Sequence, residues 1–354
     1  MQVVVQLMDL MSIPIWLRHE DHYHQDEFYL LKLLQQLLRK PKMRTRRAFS
    51  MNFEMTNVLG QDFSSIPENE KTYTLHGDLP LHYPCEVKIS YTLSCLLISN
   101  YGGNCNGILI LDLETKKVKT NIKTDKSPSY LFVEEQYNGH TDALIFVCDS
   151  THTVSKFDLG SIMSPTLPVE VGVKSEHFIW QNSSILNPEG ITGWNSQLFV
   201  CCSRSNTINV LSSKTGLPLY EISLPYSPYG IDFSVDAEYL IVSSDNEQSI
   251  VMLQRTISGT DIKWEYRYNN LDICTNLKGL DFAYALTVDK AANHIIVTDD
   301  LNTVSIFNNV GTLLKRFTSK YNIKIESPYG ACVNELTGEL IVCDNGESRV
   351  LIFK

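Results

Sequence analysis

An all-β chain, made of six copies of one four-stranded antiparallel unit closed in a ring behind a helical N-terminal extension, is predicted by three observations. The first is a recurring turn, clearest at Pro188-Glu189-Gly190-Ile191, Pro228-Tyr229-Gly230-Ile231 and Pro328-Tyr329-Gly330-Ala331. Weaker copies start at Pro84, at Pro128 and at Ala283-Tyr284-Ala285-Leu286. The second is a short aliphatic run closed by a polar residue: Leu96 to Asn100, Ile145 to Asp149, Phe199 to Ser203, Ile241 to Asp245, Ile295 to Asp299 and Leu340 to Asp344. The third is spacing. The closing residues of these runs follow one another at steps of 49, 54, 42, 54 and 45, as one supersecondary unit repeated would require.

Each element of the unit has a local cause. A glycine in the turn permits close backbone approach or positive φ at the start of the innermost strand. The aliphatic runs are too short for helices and, bounded by turn formers, read as buried second strands. The polar residue that ends each run, followed by Asn, Ser, Thr or Gly, makes a tight hairpin by bonding its own backbone. Val154, Ile208, Ile250 and Val304 then restart the alternation, and Phe157, Leu211, Leu253 and Phe307 close a third strand. Lys117-Val118-Lys119, Leu219-Tyr220-Glu221-Ile222, Lys263-Trp264-Glu265-Tyr266 and Leu314-Lys315-Arg316-Phe317 alternate in polarity, which suits a half-exposed outer strand. Such a sheet repeated six times closes as a β-propeller. The last unit runs out at Phe353-Lys354, and Thr72-Tyr73-Thr74-Leu75-His76 is a spare strand that would complete the last blade. An all-β sandwich with chance repetition and a seven-bladed ring are the competing readings of the same spacing.

Composition bounds the rest. With 43% hydrophobic and 20% charged residues, the 354-residue chain is neither a disordered polyelectrolyte nor a low-complexity linker. No apolar run is long enough for a membrane span, and Asp9 interrupts the stretch after Met1, so a secretory signal is not expected. Five acids and eight bases in the first fifty residues leave a formal −13 on the remainder of a chain of net −10. That acidic body repels phosphate backbones and discounts RNA as a partner. Nine irregularly spaced cysteines, several inside apolar runs, predict reduced buried thiols, hence an intracellular, cytoplasmic protein with no zinc module.

From about residue 79 the repeats resemble those of the NHL-repeat propellers, whose pattern is Pro-x-Gly-Ile/Val, a strand ending in Asp, then Asn-x-Arg-Ile leading to Phe. Asp299-Asp300-Leu301-Asn302-Thr303-Val304-Ser305-Ile306-Phe307 fits, with Thr303 near the basic position. Asp149 to Phe157 fits with His152 in the Asn place, and Ser203-Arg204-Ser205-Asn206 keeps the Asn and loses the Asp. The WD-repeat pattern fits less well, since no tryptophan is followed by Asp, and kelch repeats want a recurring Gly-Gly that stands only at Gly102-Gly103. The resemblance implies a domain that binds a protein or peptide on one face. NHL propellers that carry a RING bind RNA or recruit ubiquitin-ligase substrates. With no RING here, ubiquitin-system partners rest on the resemblance alone.

Residues 1–65 read as a separate extension and 66–354 as the propeller. Leu30, Leu31, Leu34, Leu37 and Leu38 share one face of a helix that starts at Asp26-Glu27 and stops at Pro41. It either packs on the propeller or meets a partner. Six bases follow in nine residues, Arg39, Lys40, Lys42, Arg44, Arg46 and Arg47: a solvated linker, a nuclear-import signal or an anion-binding patch. Arg46-Arg47-Ala48-Phe49-Ser50 also has the form of a basophilic kinase site, and a phosphate on Ser50 would cancel part of that charge.

The chain has no phosphate-binding Gly-Lys-Ser/Thr loop, no G-x-S-x-G elbow and no H-E-x-x-H. His19-Glu20-Asp21-His22-Tyr23-His24 has ligand composition without ligand spacing and reads as a polar turn. Glu189 is the one candidate catalytic residue, at a turn into an inner strand. The site there resembles that of lactonase-type propellers, which hold calcium at the axis. Calcium is expected only under that hydrolase alternative, and otherwise no cofactor or metal. The aspartates that end the second strands recur with the fold and are expected to cap hairpins. Tyr229 and Tyr329, with Tyr130 and Tyr284 slightly offset, either pack between blades or present aromatic contacts at the channel mouth. The resulting expectation is a non-catalytic scaffold that binds a protein or peptide.

Overall fold

The computed structural model describes residues 45–60, 73–102, 107–163, 170–172, 176–244, 250–258, 261–266, 280–318 and 324–354. The leucine-rich segment, the histidine cluster and Arg39, Lys40, Lys42 and Arg44 lie outside the described residues. Thr45–Lys354 forms one compact unit.

Six antiparallel sheets follow one another in chain order, each running from an innermost to an outer strand. We number them as blades 1 to 6, their innermost strands being Pro84–Ser90, Leu131–Glu134, Pro188–Trp194, Pro228–Phe233, Ala283–Asp289 and Pro328–Asn334. The second strands are buried almost throughout: Cys95–Asn100 and Ala143–Cys148 expose no residue. Period-two alternation sends their side chains to both faces, where six apolar clusters form. In blade 3, Leu198 and Val200 face the cluster toward blade 2, while Phe199 and Cys201 face that toward blade 4. A strand pressed from both sides must be apolar at every position, which is why these runs do not alternate. The outer strands do alternate, as in Val118–Lys123 and Pro218–Ser223.

The ring closes through a different strand from the one expected. Met55–Gly60 pairs antiparallel with Arg349–Phe353 and is the fourth strand of blade 6, while Thr74–His76 pairs parallel with Met55–Gly60 one place further out. The closing strand must fill two interfaces at once. Val58 packs into the cluster between blades 5 and 6, and its neighbour Leu59 into the one between blades 6 and 1. Thr74-Leu75-His76 is too polar for that and serves as an edge. The propeller unit therefore begins upstream of residue 66. Blade 1 carries a similar fifth strand, Glu170–Gly172, which pairs parallel with Val118–Lys123.

The Asn place of the repeat now has a physical meaning. His152, Asn206, Asn302 and Ser348 all stand in the left-handed region, with φ of 54°, 54°, 60° and 50°, at the hairpin between second and third strands. Three of them also reach the next blade. The Asn187 N–H donates to His152 Nδ1 at 3.1 Å, the Ser327 N–H to Asn302 Oδ1 at 2.7 Å and the Tyr83 N–H to Ser348 Oγ at 3.3 Å. The last of these joins blade 6 to blade 1. The expected capping role of the aspartates holds for Asp299, which accepts the Thr303 N–H at 3.0 Å. Asp344 and Asn100 instead accept the Glu326 and His82 N–H groups, at 2.7 and 2.8 Å, and so hold the segments that lead into inner strands.

Candidate functional site

The inner strands all start at the same end of the central channel, and the recurring turn sets what stands there. Glycine in this turn serves close approach: a Cβ on Gly190 would sit 2.2 Å from the Tyr229 carbonyl oxygen of blade 4, and one on Gly330 2.4 Å from Glu86 of blade 1. The residue before each glycine is left at the rim. This puts Tyr229 and Tyr329 at the mouth, joined by Tyr284 from the equivalent place in blade 5, all three half-buried. Tyr284 and Tyr329 stack with ring centroids 4.2 Å apart. Phe282 joins them, 4.9 Å from Tyr284 and 5.1 Å from Tyr229. The result is an aromatic arc from blade 4 to blade 6.

Tyr130 departs from the other three. It occupies the glycine place of its repeat and is buried, and its hydroxyl donates to the Tyr284 backbone carbonyl at 3.0 Å. Blades 2 and 5 oppose each other in a six-membered ring, so this side chain crosses the axis and floors the mouth. Glu86 occupies the same place in blade 1, is buried, and pairs with Lys88 at 3.0 Å. Burial pushes the Glu86 carboxyl up, and the Lys88 ammonium pulls it back. On the Lys88 level of the channel, Asp232 accepts the Phe233 and Val288 N–H groups at 2.8 and 3.0 Å. Sequence reasoning missed Glu86, Lys88 and Asp232. The usable signal was the poor fit of the copy at Pro84, where a glutamate replaces glycine.

The opposite side of the mouth is acidic. Glu189 stands in blade 3 and accepts the Ser203 hydroxyl at 3.3 Å. In blade 2, Asp149 lies 3.5 Å from the Tyr101 hydroxyl through Oδ2, while its Oδ1 is buried with no hydrogen-bond partner. On the aromatic side, Asp300 of blade 5 accepts the Tyr284 hydroxyl at 2.9 Å. Burial, reinforced by the Asp300 hydrogen bond, pushes the Tyr284 phenol up to about 12. Tyr329 and Tyr130 are raised by burial and by neighbouring phenols and the Glu189 carboxylate. The Cys85 thiol is raised by burial, then by Glu86, Asp149 and Glu189. At neutral pH the phenols and this thiol therefore stay protonated.

Arg46 and Arg47, the described members of the basic run, are elsewhere. Arg46 pairs with Glu335 at 3.0 Å and the Arg47 N–H donates to the Glu335 carbonyl, next to the far end of the blade 6 inner strand. Two residues on, Phe49 is buried with its N–H on Asp289 at 2.8 Å, and the exposed Ser50 Oγ accepts the Asn52 N–H. Arg46 and Arg47 thus lie on the face opposite the tyrosines. A groove of about 780 Å³ between the outer strands of blades 3 and 4, lined by Tyr220, Ile222, Ile262 and Trp264 among others, lies away from both.

A calcium site in the lactonase manner needs six or more converging oxygens. Among the described residues no group of three or more His, Cys, Asp or Glu side chains converges on a point. The seven described cysteines are free and buried, and burial raises Cys148 and Cys332 to about 12. Among the described residues no helix is long and apolar enough to cross a membrane.

No family model and no curated protein matches this chain. Solved structures do. The β-propeller domain of Cps50 (Swd1) from Myceliophteria thermophila superposes with a TM-score of 0.54 at 12% identity, over 78% of this chain and 97% of that one. Streptogramin B lyase matches at 0.50 and 15% identity, over 78% and 95%. A protein of unknown function from Desulfotomaculum acetoxidans matches at 0.50 and 15%, over 74% and 79%. At these identities the likeness establishes the propeller fold and no more, and it joins a lyase to proteins of other kinds.

Proposed function

We propose that this chain is a non-catalytic, NHL-like propeller scaffold that binds a protein or peptide partner across the channel mouth. The observation that carries the reading is the half-buried aromatic arc of Tyr229, Phe282, Tyr284 and Tyr329 above a channel floored by Tyr130. Rings held edge-on and stacked lose little conformational freedom on binding and offer large apolar faces with polar tips. A floor of this kind favours a ligand that lies over the mouth rather than one that enters the bore. Glu189 belongs to that rim as a recognition group, accepting the Ser203 hydroxyl at 3.3 Å.

The test is affinity capture with the full chain and with a Tyr229→Ser/Tyr329→Ser double variant of unchanged melting temperature. Partners retained by the parent and lost by the variant support the reading. An unchanged set of captured proteins refutes it.

A further inference from the structure

The mouth is not evenly built, and its asymmetry names a ligand class. Blades 4 to 6 contribute the aromatic arc, and blades 2 and 3 contribute Asp149 and Glu189 opposite it. The Tyr101 hydroxyl lies 3.5 Å from Asp149 Oδ2 on this side. An aromatic wall facing carboxylates is the environment that stabilises an ammonium or guanidinium group, by ring quadrupole on one side and charge-assisted hydrogen bonds on the other. The surrounding body is itself strongly acidic, which draws basic segments in.

We infer that the mouth takes the cationic side chain, lysine or arginine, of a basic peptide, the cation lying between the Tyr284–Tyr329 pair and the Glu189 and Asp149 carboxylates. This deepens the reading of the mouth as a peptide-binding face and rests on it. The stacked tyrosines supply the face of a π-system, and Glu189 and Asp149 supply the counter-charge. An acidic peptide would meet repulsion from the same carboxylates.

The experiment uses the full chain and three fluorescein-labelled Gly/Ser peptides that differ only in carrying arginine, lysine or citrulline, titrated by fluorescence anisotropy. The arginine and lysine peptides bind and the citrulline peptide binds at least about tenfold more weakly, the loss of one charge-assisted contact. Glu189→Gln and Asp149→Asn each weaken the basic peptides by about tenfold with unchanged melting, whereas Asp236→Asn, on an exposed turn at the other end of the blades, does not. Equal binding of the citrulline and arginine peptides, both lost with the tyrosine double variant, overturns the cationic assignment and leaves the peptide-binding face standing. Binding of the basic peptides that ignores the tyrosine, Glu189 and Asp149 replacements alike removes both. Absence of binding by all three peptides, with tyrosine-dependent capture of partners intact, overturns the cationic assignment alone.

Discussion

Ring closure can be tested at single-residue resolution, because the two candidate closing strands bury their leucines differently. Leu59 is fully buried between blades 6 and 1 beside Leu81, Val350 and Ile352. Leu75, on the outer strand Thr74–His76, is only half-buried against the other cluster. Leu59→Ala removes three buried carbons and leaves a cavity walled by β-strands that cannot collapse, a loss of about 3 kcal/mol within a usual range of about 2–5. Leu75→Ala exposes a site already open to water and costs about 1 kcal/mol. The expected gap is about 2 kcal/mol, read as the difference between the two variants' urea midpoints by far-ultraviolet circular dichroism at matched slope. Equal losses, or a larger loss for Leu75→Ala, would refute closure through Met55–Gly60 and restore the strand at 72–76 to that role.

Three further outcomes are expected. Burial raises the Asp299 carboxyl to about 6, above its unfolded value, so the stability it contributes is full below pH 4 and lost as pH rises through about 6. The advantage of the parent over Asp299→Asn should therefore shrink by roughly 2–3 kcal/mol between pH 4 and 7, and a pH-independent difference in urea midpoints would contradict this. Arg349 pairs with Asp344 at 2.8 Å, and both are almost fully buried, so Arg349→Met strands a buried carboxylate at a cost of about 3–5 kcal/mol. Adding Asp344→Asn should recover part of that loss in the same melts, and no recovery would show that packing rather than charge is lost. Tyr130→Phe keeps the ring across the axis and loses only the hydrogen bond to the Tyr284 carbonyl, about 1 kcal/mol by thermal melting. A loss several times larger would mean that the hydroxyl organises more of the channel than this one contact.

The blades were legible in the sequence because their second strands are pressed from both sides. Leu96-Leu97-Ile98 and Ile295-Ile296-Val297 can be nothing but interior strand, and the hairpins beside them announce themselves through Asn206 and Asn302 in left-handed positions. Closure was less legible. Alternation marks Thr74–His76 as an edge, and an edge is what it forms, yet alternation cannot say how many places lie between it and the last blade. Only the pairing of Val58 and Leu59 with two different interfaces decides that, and it requires the ring to be assembled. The rim tyrosines could be found from the turn motif because the motif fixes their place. Tyr130, one position along, could not be told from them, and a shift of one residue at a strand reverses which side it faces.

The same displacement explains why the channel has a floor at all. Glycine at the inner turns of blades 3, 4 and 6 lets neighbouring strands touch, but six glycines would line the axis with bare backbone and leave a bore open to water. Blades 1 and 2 break the repeat at that place with Glu86 and Tyr130, and both side chains are buried there. A charge on the axis then needs a partner, and Lys88 from the next level of the same strand supplies it at 3.0 Å. The departures from the repeat are thus coupled: the tyrosine fills, the glutamate fills, and the lysine neutralises. They also remove the sixfold symmetry. A mouth with its rings gathered in blades 4 to 6 and with Glu189 and Asp149 in blades 3 and 2 presents a direction, and a ligand with direction of its own can use it where an ion on the axis could not.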